Sequence, residues 1–268
     1  MSVRIIAEAG ENHLGDPGRM SDMVRLAAAS GADFIKFQSY DVDDLAPGAE
    51  GETIDWIRKT QLTVDDHGRL KEEADGCGIT LLSTPVNVRW ATVLRDLGLS
   101  TVKLASLSLT DEALLEFAGS NFDEVLLSTG MGVESEIERA LEILGERVQV
   151  CVLHCVSEYP TPDTHGSLRS ITWLRERFGR PVGYSDHTIG TLAALAATAL
   201  GAEIIEKHFT LDKTLEGSDH ICSADPAEMA AIAHGCRRIA AMLGSVEKEP
   251  TPQEYENRGV MRSLFVEH

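Results

Sequence analysis

The chain has 268 residues, of which 43% are hydrophobic, and this length fits one large α/β domain with a substantial buried core. Its formal charge of -19 excludes a nucleic-acid footprint or an anionic membrane surface as the partner, because both require a cationic face. A small-molecule partner is favoured, and an anionic one would require lysines that reverse the sign of the charge locally.

The amino terminus and the cysteines indicate the compartment. Residues 1–4 lead directly into a strand-like run and do not have the pattern of a secretory signal. No apolar stretch approaches the roughly twenty residues that span a bilayer. Five cysteines without a CxxC pair indicate reduced thiols and not a disulfide framework. We therefore expect a cytoplasmic protein.

Short apolar runs rich in β-forming residues recur along the chain and alternate with amphipathic segments long enough for crossover helices. The predicted strands are residues 4–10, 33–40, 80–85, 101–106, 124–130, 148–155, 181–187 and 203–209. The predicted helices are residues 20–30, 64–76, 89–97, 111–119, 134–144, 168–178, 190–200 and 226–243.

Eight such strand-helix units with nearly continuous apolar strands predict a parallel α/β fold, the (β/α)8 TIM barrel. A doubly wound open sheet is the competing architecture. It is disfavoured because AGENH, at residues 9–13, follows the first strand where a glycine-rich dinucleotide fingerprint would stand. We expect residues 1–244 to form the barrel and the charged, proline-containing segment at residues 245–268 to be a tail or linker.

The carboxyl ends of the predicted strands carry polar side chains on almost every strand, which is where such a barrel gathers its reacting groups. A single hydroxyl at a strand end more often satisfies loop backbone. The convergence of many such groups, however, indicates a functional site. The candidates are Glu8, Lys36, Gln38, Thr84, Lys103, Ser106, Ser128, Ser157, Tyr159, Ser185, His187, Glu206 and His208.

The residue types at these strand ends suggest their roles. Lys36 and Lys103, with several hydroxyls facing one mouth, would form a cradle for a phosphate or a carboxylate. His187 and His208 suit a catalytic divalent metal ion, because two neutral imidazoles leave positions open for water and a substrate oxygen. Either histidine alone is more often structural, so the metal site depends on the two lying together.

The acidic candidates differ in their setting. Glu8 and Glu206 lie inside otherwise apolar strands, where an unpaired charge is costly; they could act as general acid or base, orient a substrate hydroxyl or support the histidines. Asp219 lies in a glycine-containing loop and is a weaker candidate, because aspartate is common in turns. Strand alternation directs Lys207 away from the face shared by Glu206 and His208, so we interpret Lys207 as structural.

Several sequence blocks occur in order along the chain: IAEAGENHLG (residues 6–15), IKFQ (35–38), LSTP (82–85), LSTGM (127–131), LHCVSEYPTP (153–162), YSDHT (184–188) and IEKHFTL (205–211). Together they resemble the sialic acid synthase family, which includes the N-acetylneuraminate and legionaminate synthases. The resemblance implies condensation of phosphoenolpyruvate with an aldehyde, typically an open-chain N-acylated hexosamine. The products would be a 2-keto-3-deoxy acid of the nonulosonic type and phosphate.

The resemblance also implies roles for individual residues. His187 and His208 would hold a divalent metal, Mn²⁺ or Mg²⁺, that polarises the aldehyde oxygen for attack by C3 of phosphoenolpyruvate. The residues implied to be catalytic are Glu8, Lys36, Lys103 and Glu206. Those implied to bind phosphoenolpyruvate are Lys36, Thr84, Lys103, Ser106, Ser128, Ser157 and Ser185. Those implied to orient the acceptor are Gln38, Tyr159 and Asp219.

The chain also departs from the family pattern. Relatives usually continue with a C-terminal antifreeze-like domain, which we expect to be absent here, with residues 245–268 as a linker remnant. The loop at residues 41–60 is shorter than in relatives, and Ser157 stands where many of them have asparagine. These differences concern acceptor recognition, so we expect a homodimeric synthase whose acceptor is an unusual aldehyde or an N-acylhexosamine-like sugar.

Two other functions compete with the synthase. A Schiff-base aldolase or an isomerase could use the same barrel without phosphoenolpyruvate, and Lys103 is the lysine that an aldolase would need. A non-catalytic barrel that binds a sugar is the other alternative. It is disfavoured because the paired histidines and the lysines are costly in an apolar mouth.

Overall fold

Eight parallel strands form one sheet in the computed structural model, which describes residues 3–264. They are β1 Arg4–Glu8, β2 Phe34–Ser39, β3 Thr80–Pro85, β4 Thr101–Leu104, β5 Glu124–Ser128, β6 Gln149–Cys155, β7 Val182–Asp186 and β8 Ile204–His208. The sheet order is β3-β2-β1-β8-β7-β6-β5-β4, and β3 lies beside β4 at the seam. The predicted (β/α)8 barrel is confirmed.

The helices lie outside the strands and connect them. They are α1 Pro17–Ala29, α2 Gly51–Thr60, α3 Val64–Cys77, α4 Val88–Asp96, α5 Glu112–Asn121, α6 Glu134–Leu144, α7 Arg169–Phe178, α8 Leu192–Ala199, α9 Pro226–Met242 and α10 Pro252–Ser263. Local sequence sets several of their ends. Asp225 caps α9 in a capping box with Glu228, and Gly78 ends α3 in the left-handed conformation, with a φ of 69°.

Strand alternation divides the core into an inner and an outer layer. The inner layer at the amino-terminal half of the strands is apolar and buried; it comprises Ile6, Phe34, Leu82, Leu126, Cys151, Leu153 and Ile204. Arg4 and Glu124 form an ion pair from β1 to β5 at this end of the barrel. The next inward positions toward the carboxyl ends are polar, as at Glu8 and Lys36, so the barrel presents a polar floor at one end only.

Two segments in which the sequence analysis expects a loop or a linker contain helices. The segment at residues 41–60 includes α2, which is held by a hydrogen bond from Trp56 to Glu11. The segment from residue 245 includes α10, in which no residue is buried. The boundary at residue 244 stays a prediction, and residues 1, 2 and 265–268 of the two predicted ranges lie outside the described residues.

None of the helices within residues 3–264 is both long enough and apolar enough to cross a membrane. The five cysteines are free, and four of them are buried.

Candidate active site

A cavity of about 350 Å³ opens at the carboxyl ends of the strands. It contains every residue that the sequence predicted for the site. These are Glu8, Lys36, Gln38, Thr84, Lys103, Ser106, Ser128, Ser157, Tyr159, Ser185, His187, Glu206, His208 and Asp219. The strands therefore bring the candidates together as the barrel fold requires.

The floor of the cavity is a network of buried charges. The Nζ atom of Lys36 lies 3.1 Å from Oε1 of Glu8 and 3.2 Å from Oε2 of Glu206. Lys103 donates a hydrogen bond of 3.1 Å to Oε1 of Glu206, and the Ser185 hydroxyl donates one of 2.7 Å to the same oxygen. Glu206 thus links both lysines.

Burial and pairing act in opposite directions on this network. Burial would raise the pKa of Glu206, but Lys103 and Lys36 outweigh it and hold that pKa well below its usual range. Burial would lower the pKa of Lys36, but Glu206 and Glu8 raise it. For Lys103 burial dominates and lowers the pKa, although Glu206 opposes it. Lys103 therefore releases its proton more readily than Lys36.

The lysines share this mouth with a larger number of carboxylates. The cavity is lined by two lysines and by four carboxylates, those of Glu8, Glu11, Glu206 and Asp219. Both lysines are paired with carboxylates at its floor. Sequence reasoning missed this because the pairing joins residues far apart in the chain. A bound anion must share these ammonium groups with Glu8 and Glu206.

His187 and His208 lie side by side above this floor, with ring centroids 5.4 Å apart. The carbonyl oxygen of Val156 lies 2.6 Å from Nδ1 of His187, so Nδ1 carries the proton and Nε2 is free to accept. Burial is the main cause that lowers the pKa of His187, to about 3, so the ring is neutral. The ring of Tyr159 packs on His187 at a centroid distance of 4.0 Å.

These two imidazoles fit an open divalent metal site. His208 Nδ1 is buried without a hydrogen bond, and Oδ2 of Asp219 lies 3.4 Å from it. Among the described residues no group of three His, Cys, Asp or Glu side chains is arranged to enclose a metal ion. The fit is therefore to a cation that takes two protein nitrogens and completes its coordination with water or substrate.

Hydroxyl groups line the wall beside Lys103. Ser106 Oγ accepts a hydrogen bond of 3.0 Å from the Gly130 amide. The Ser128 hydroxyl is buried and has no hydrogen-bond partner. A Cβ atom at Gly130 would lie 2.5 Å from Ser157 Oγ and 2.7 Å from Ser106 Oγ, so only glycine permits this close approach. The wall therefore holds hydroxyl donors ready for a ligand.

Glu11 is the main residue at the rim that sequence reasoning missed. Its carboxylate accepts hydrogen bonds from the Tyr40 hydroxyl, at 2.8 Å, and from the Trp56 indole. Its position was the signal that could have identified it, because Glu11 lies three residues after Glu8 in the loop that follows the first strand. The other missed lining residues are Val86, Ala105, Leu107, Met131 and Cys155. They carried no such signal, because loop apolar residues and a buried cysteine are ordinary.

Comparisons with known proteins agree with this geometry. A model of the NeuB family matches residues 23–248. The chain is 42% identical over 252 residues to an uncharacterized protein of Methanocaldococcus jannaschii, covering 93% of this chain and 74% of that protein. It is 37% identical over 279 residues to N,N'-diacetyllegionaminic acid synthase of Campylobacter jejuni, covering 98% and 84%.

A solved structure gives the same result for the fold. The crystal structure of N-acetylneuraminic acid synthetase from Leptospira borgpetersenii, in complex with citrate, superimposes with a TM-score of 0.93 at 37% identity. The alignment covers 98% of this chain and 93% of that chain. The likeness therefore extends over the whole barrel.

Proposed function

This chain belongs to the NeuB family, and from that premise we propose that it condenses phosphoenolpyruvate with an uncharged sugar aldehyde in a metal-dependent reaction. It is a phosphoenolpyruvate-dependent synthase that forms a carbon–carbon bond. The products would be a 2-keto-3-deoxy acid and phosphate. The observation that supports this most strongly is that a lysine-glutamate floor, a hydroxyl wall and two imidazoles meet in one cavity.

We assign the phosphoenolpyruvate site from the hydrogen-bond donors that the charge network leaves free. An ammonium group has three donors, and Lys103 uses one of them on Glu206. The partnerless Ser128 hydroxyl and the Ser106 hydroxyl lie on the adjoining wall. We place the phosphate and carboxylate oxygens against these groups and Lys36, where charge-assisted hydrogen bonds are strongest.

The reaction can be balanced with the residues of this cavity. The C3 atom of phosphoenolpyruvate bonds to the aldehyde carbon, water adds to C2, and the C2–O bond breaks to release phosphate with its electron pair. One water proton ends on the new hydroxyl and the other on phosphate. Glu8, whose Oε2 is buried without a hydrogen bond, is placed to take a proton, and Lys103 stabilises the departing phosphate.

His187 and His208 would hold the divalent cation, which when bound polarises the acceptor aldehyde. Their own part is to present nitrogen lone pairs, and the hydrogen bond from His187 to Val156 fixes which nitrogen is available. Two imidazoles favour Mn²⁺ over Mg²⁺, because Mg²⁺ prefers oxygen ligands and keeps its waters.

The charge of the cavity favours an acceptor without a phosphate group. Four carboxylates already face two lysines, and no arginine lines the cavity in the part of the chain that the structure describes. Phosphoenolpyruvate adds further negative charge. A second anion would meet no unpaired lysine or arginine among the residues that line the cavity beside Gln38, Tyr159 and Asp219, where we place the acceptor, and the divalent cation there would be the partner of the aldehyde oxygen. We also propose that the protein is cytoplasmic, which the free cysteines support. We propose further that it forms a homodimer, which the exposed apolar residues on α10 support.

Phosphate-release screening tests the proposal. The protein is incubated with phosphoenolpyruvate, Mn²⁺ and a panel of aldehydes that includes an N-acylated hexosamine and its 6-phosphate. Release that requires both Mn²⁺ and an uncharged aldehyde supports the proposal. Preference for the phosphorylated sugar contradicts the acceptor assignment, and no release with any aldehyde contradicts the synthase assignment.

A Schiff-base aldolase is the second candidate, because burial lowers the pKa of Lys103 as that chemistry needs. The ion pair with Glu206 opposes it by favouring the charged amine. Borohydride trapping separates the two. A substrate adduct on Lys103 would support the aldolase, whereas Lys103 that stays unmodified under turnover supports the synthase.

A further inference from the structure

A second buried ion pair lies directly behind the two imidazoles. Lys207 Nζ is 3.0 Å from Asp186 Oδ2, and both side chains are fully buried. They project from the outer face of β7 and β8, away from the cavity, and they are paired in register across the two strands. Asp186 immediately precedes His187, and Lys207 immediately precedes His208. The pair therefore joins the two residues that directly precede the histidines.

The same pair forms hydrogen bonds with Thr188, the residue that directly follows His187. Asp186 Oδ1 accepts hydrogen bonds of 2.9 Å from the Thr188 amide and 2.8 Å from the Thr188 hydroxyl. Lys207 donates to the Thr188 carbonyl oxygen. Both polar groups of the Thr188 backbone are thus bound by the pair. His187 lies between two residues that this network fixes.

Stability alone does not explain charges at this place. Replacing a buried ion pair by apolar side chains of similar volume is often neutral or stabilising, because two charges must lose their hydration. The outer layer around the pair includes apolar side chains such as Ile205 on β8 and Phe209 directly after it, both fully buried. An ion pair there does specify register, since a slip of one residue would leave two buried charges unpaired and exchange the inward and outward faces.

We propose that Asp186 and Lys207 are a positioning pair that fixes His187 and His208 relative to each other so that both contact one divalent cation. This inference rests on the metal site of the proposed function. The pair does not touch the cavity, so it acts only through the backbone of β7 and β8. Groups hydrogen-bonded to metal ligands typically change metal affinity about 10–100-fold when they are removed, and for a pair that acts through the backbone we expect the lower end of that range.

The test is a titration of the protein with Mn²⁺ in the absence of substrates. Electron paramagnetic resonance measures the concentration of the free ion at each step. The Asp186→Leu/Lys207→Met variant removes both charges together with the partners of the buried Thr188 amide, hydroxyl and carbonyl, so its unfolding temperature is expected to fall, and circular dichroism shows whether it is folded at the temperature of the assay. Its dissociation constant for Mn²⁺ should rise at least about tenfold. The KM for phosphoenolpyruvate should change little while kcat falls, because the lysine-glutamate floor is untouched.

Two further variants serve as controls. The His187→Ala/His208→Ala variant measures nonspecific binding of Mn²⁺ to this acidic protein. Ser39→Ala/Ser83→Ala removes a buried hydroxyl pair, 2.7 Å apart, on the outer face of β2 and β3. It should lower the unfolding temperature and leave the affinity for Mn²⁺ unchanged.

The outcomes separate this inference from the function on which it rests. A folded Asp186→Leu/Lys207→Met variant with wild-type affinity for Mn²⁺ overturns the positioning role alone. If that variant does not fold, Asp186→Asn/Lys207→Met decides by the same criterion, because it keeps an acceptor for Thr188 and still removes the tie to β8. A wild-type protein that binds Mn²⁺ no better than the double histidine variant overturns the metal assignment as well.

Discussion

Glu206→Gln is the substitution with the largest expected effect on the cavity floor. The carboxylate contacts Lys36 at 3.2 Å, Lys103 at 3.1 Å and the Ser185 hydroxyl at 2.7 Å. Removing its charge leaves two buried ammonium groups with Glu8 as the nearest counter-charge. Breaking one side of a buried pair costs about 3–5 kcal/mol. In a domain of this size, that lowers the unfolding temperature by about 6–20 °C.

Phosphoenolpyruvate should restore part of this loss, because its carboxylate and phosphate supply the missing negative charge. Any ligand at 100 times its dissociation constant stabilises a protein by about 2.7 kcal/mol. At a fixed concentration, the gain should be larger for Glu206→Gln than for the wild type, since the variant gives the anion two incompletely paired lysines. Thermal unfolding with and without phosphoenolpyruvate measures both effects.

Glu203→Gln provides the matched control. Glu203 lies directly before β8 at the other end of the barrel, outside the cavity, so its replacement should change neither quantity. The loss of stability caused by Glu206→Gln should also become smaller in acid. Because the folded pKa of Glu206 lies below its ordinary value of 4.5, the contribution of this carboxylate to the unfolding free energy is complete above that pH and is lost as the pH falls. Wild-type unfolding temperature in Glu206→Gln, or an equal gain from phosphoenolpyruvate, would refute the reasoning.

Four further substitutions test other parts of the molecule. His187→Ala and His208→Ala should each abolish Mn²⁺-dependent phosphate release while the circular dichroism spectrum is unchanged; near-normal metal-dependent rates in either would contradict the metal assignment. Gly130→Ala should raise the KM for phosphoenolpyruvate about tenfold, the equivalent of one good hydrogen bond, because its methyl group would displace the Ser157 hydroxyl. Burial lowers the pKa of His13 to about 4, so the unfolded chain binds a proton that the folded one does not between about pH 4 and 6.5. The contribution of His13 to the unfolding free energy should therefore fall by up to about 3 kcal/mol as the pH drops through that window, and His13→Gln should reduce the fall measured by chemical denaturation by that amount, leaving the part due to His187.

The barrel fold and the set of polar residues that line its cavity could be predicted from the local sequence pattern. Glu206 and His208 share the inward face of β8 with Ile204, and Lys207 faces outward, as strand alternation requires. The same period places Lys36 above Phe34 on β2. Once eight strands close into a barrel, these positions converge without further information.

The pairing of charges did not follow from local pattern. Lys103 and Glu206 are 103 residues apart and meet only because β4 and β8 face each other across the barrel. Helix α2 lies in the segment that the sequence analysis describes as a loop, and its position depends on Trp56 reaching Glu11. Such contacts are decided by tertiary packing, which sequence periodicity does not record.

The most direct measurement of the central claim is ¹³C nuclear magnetic resonance with phosphoenolpyruvate labelled at C3, carried out alongside a phosphate assay. With Mn²⁺ and an uncharged sugar aldehyde, the enol methylene signal should be replaced by that of a saturated CH₂ group, with one phosphate released for each. The signal should persist when Mn²⁺ is chelated. A pyruvate methyl signal, or loss of the enol signal without an equal amount of phosphate, would contradict carbon–carbon bond formation in this cavity.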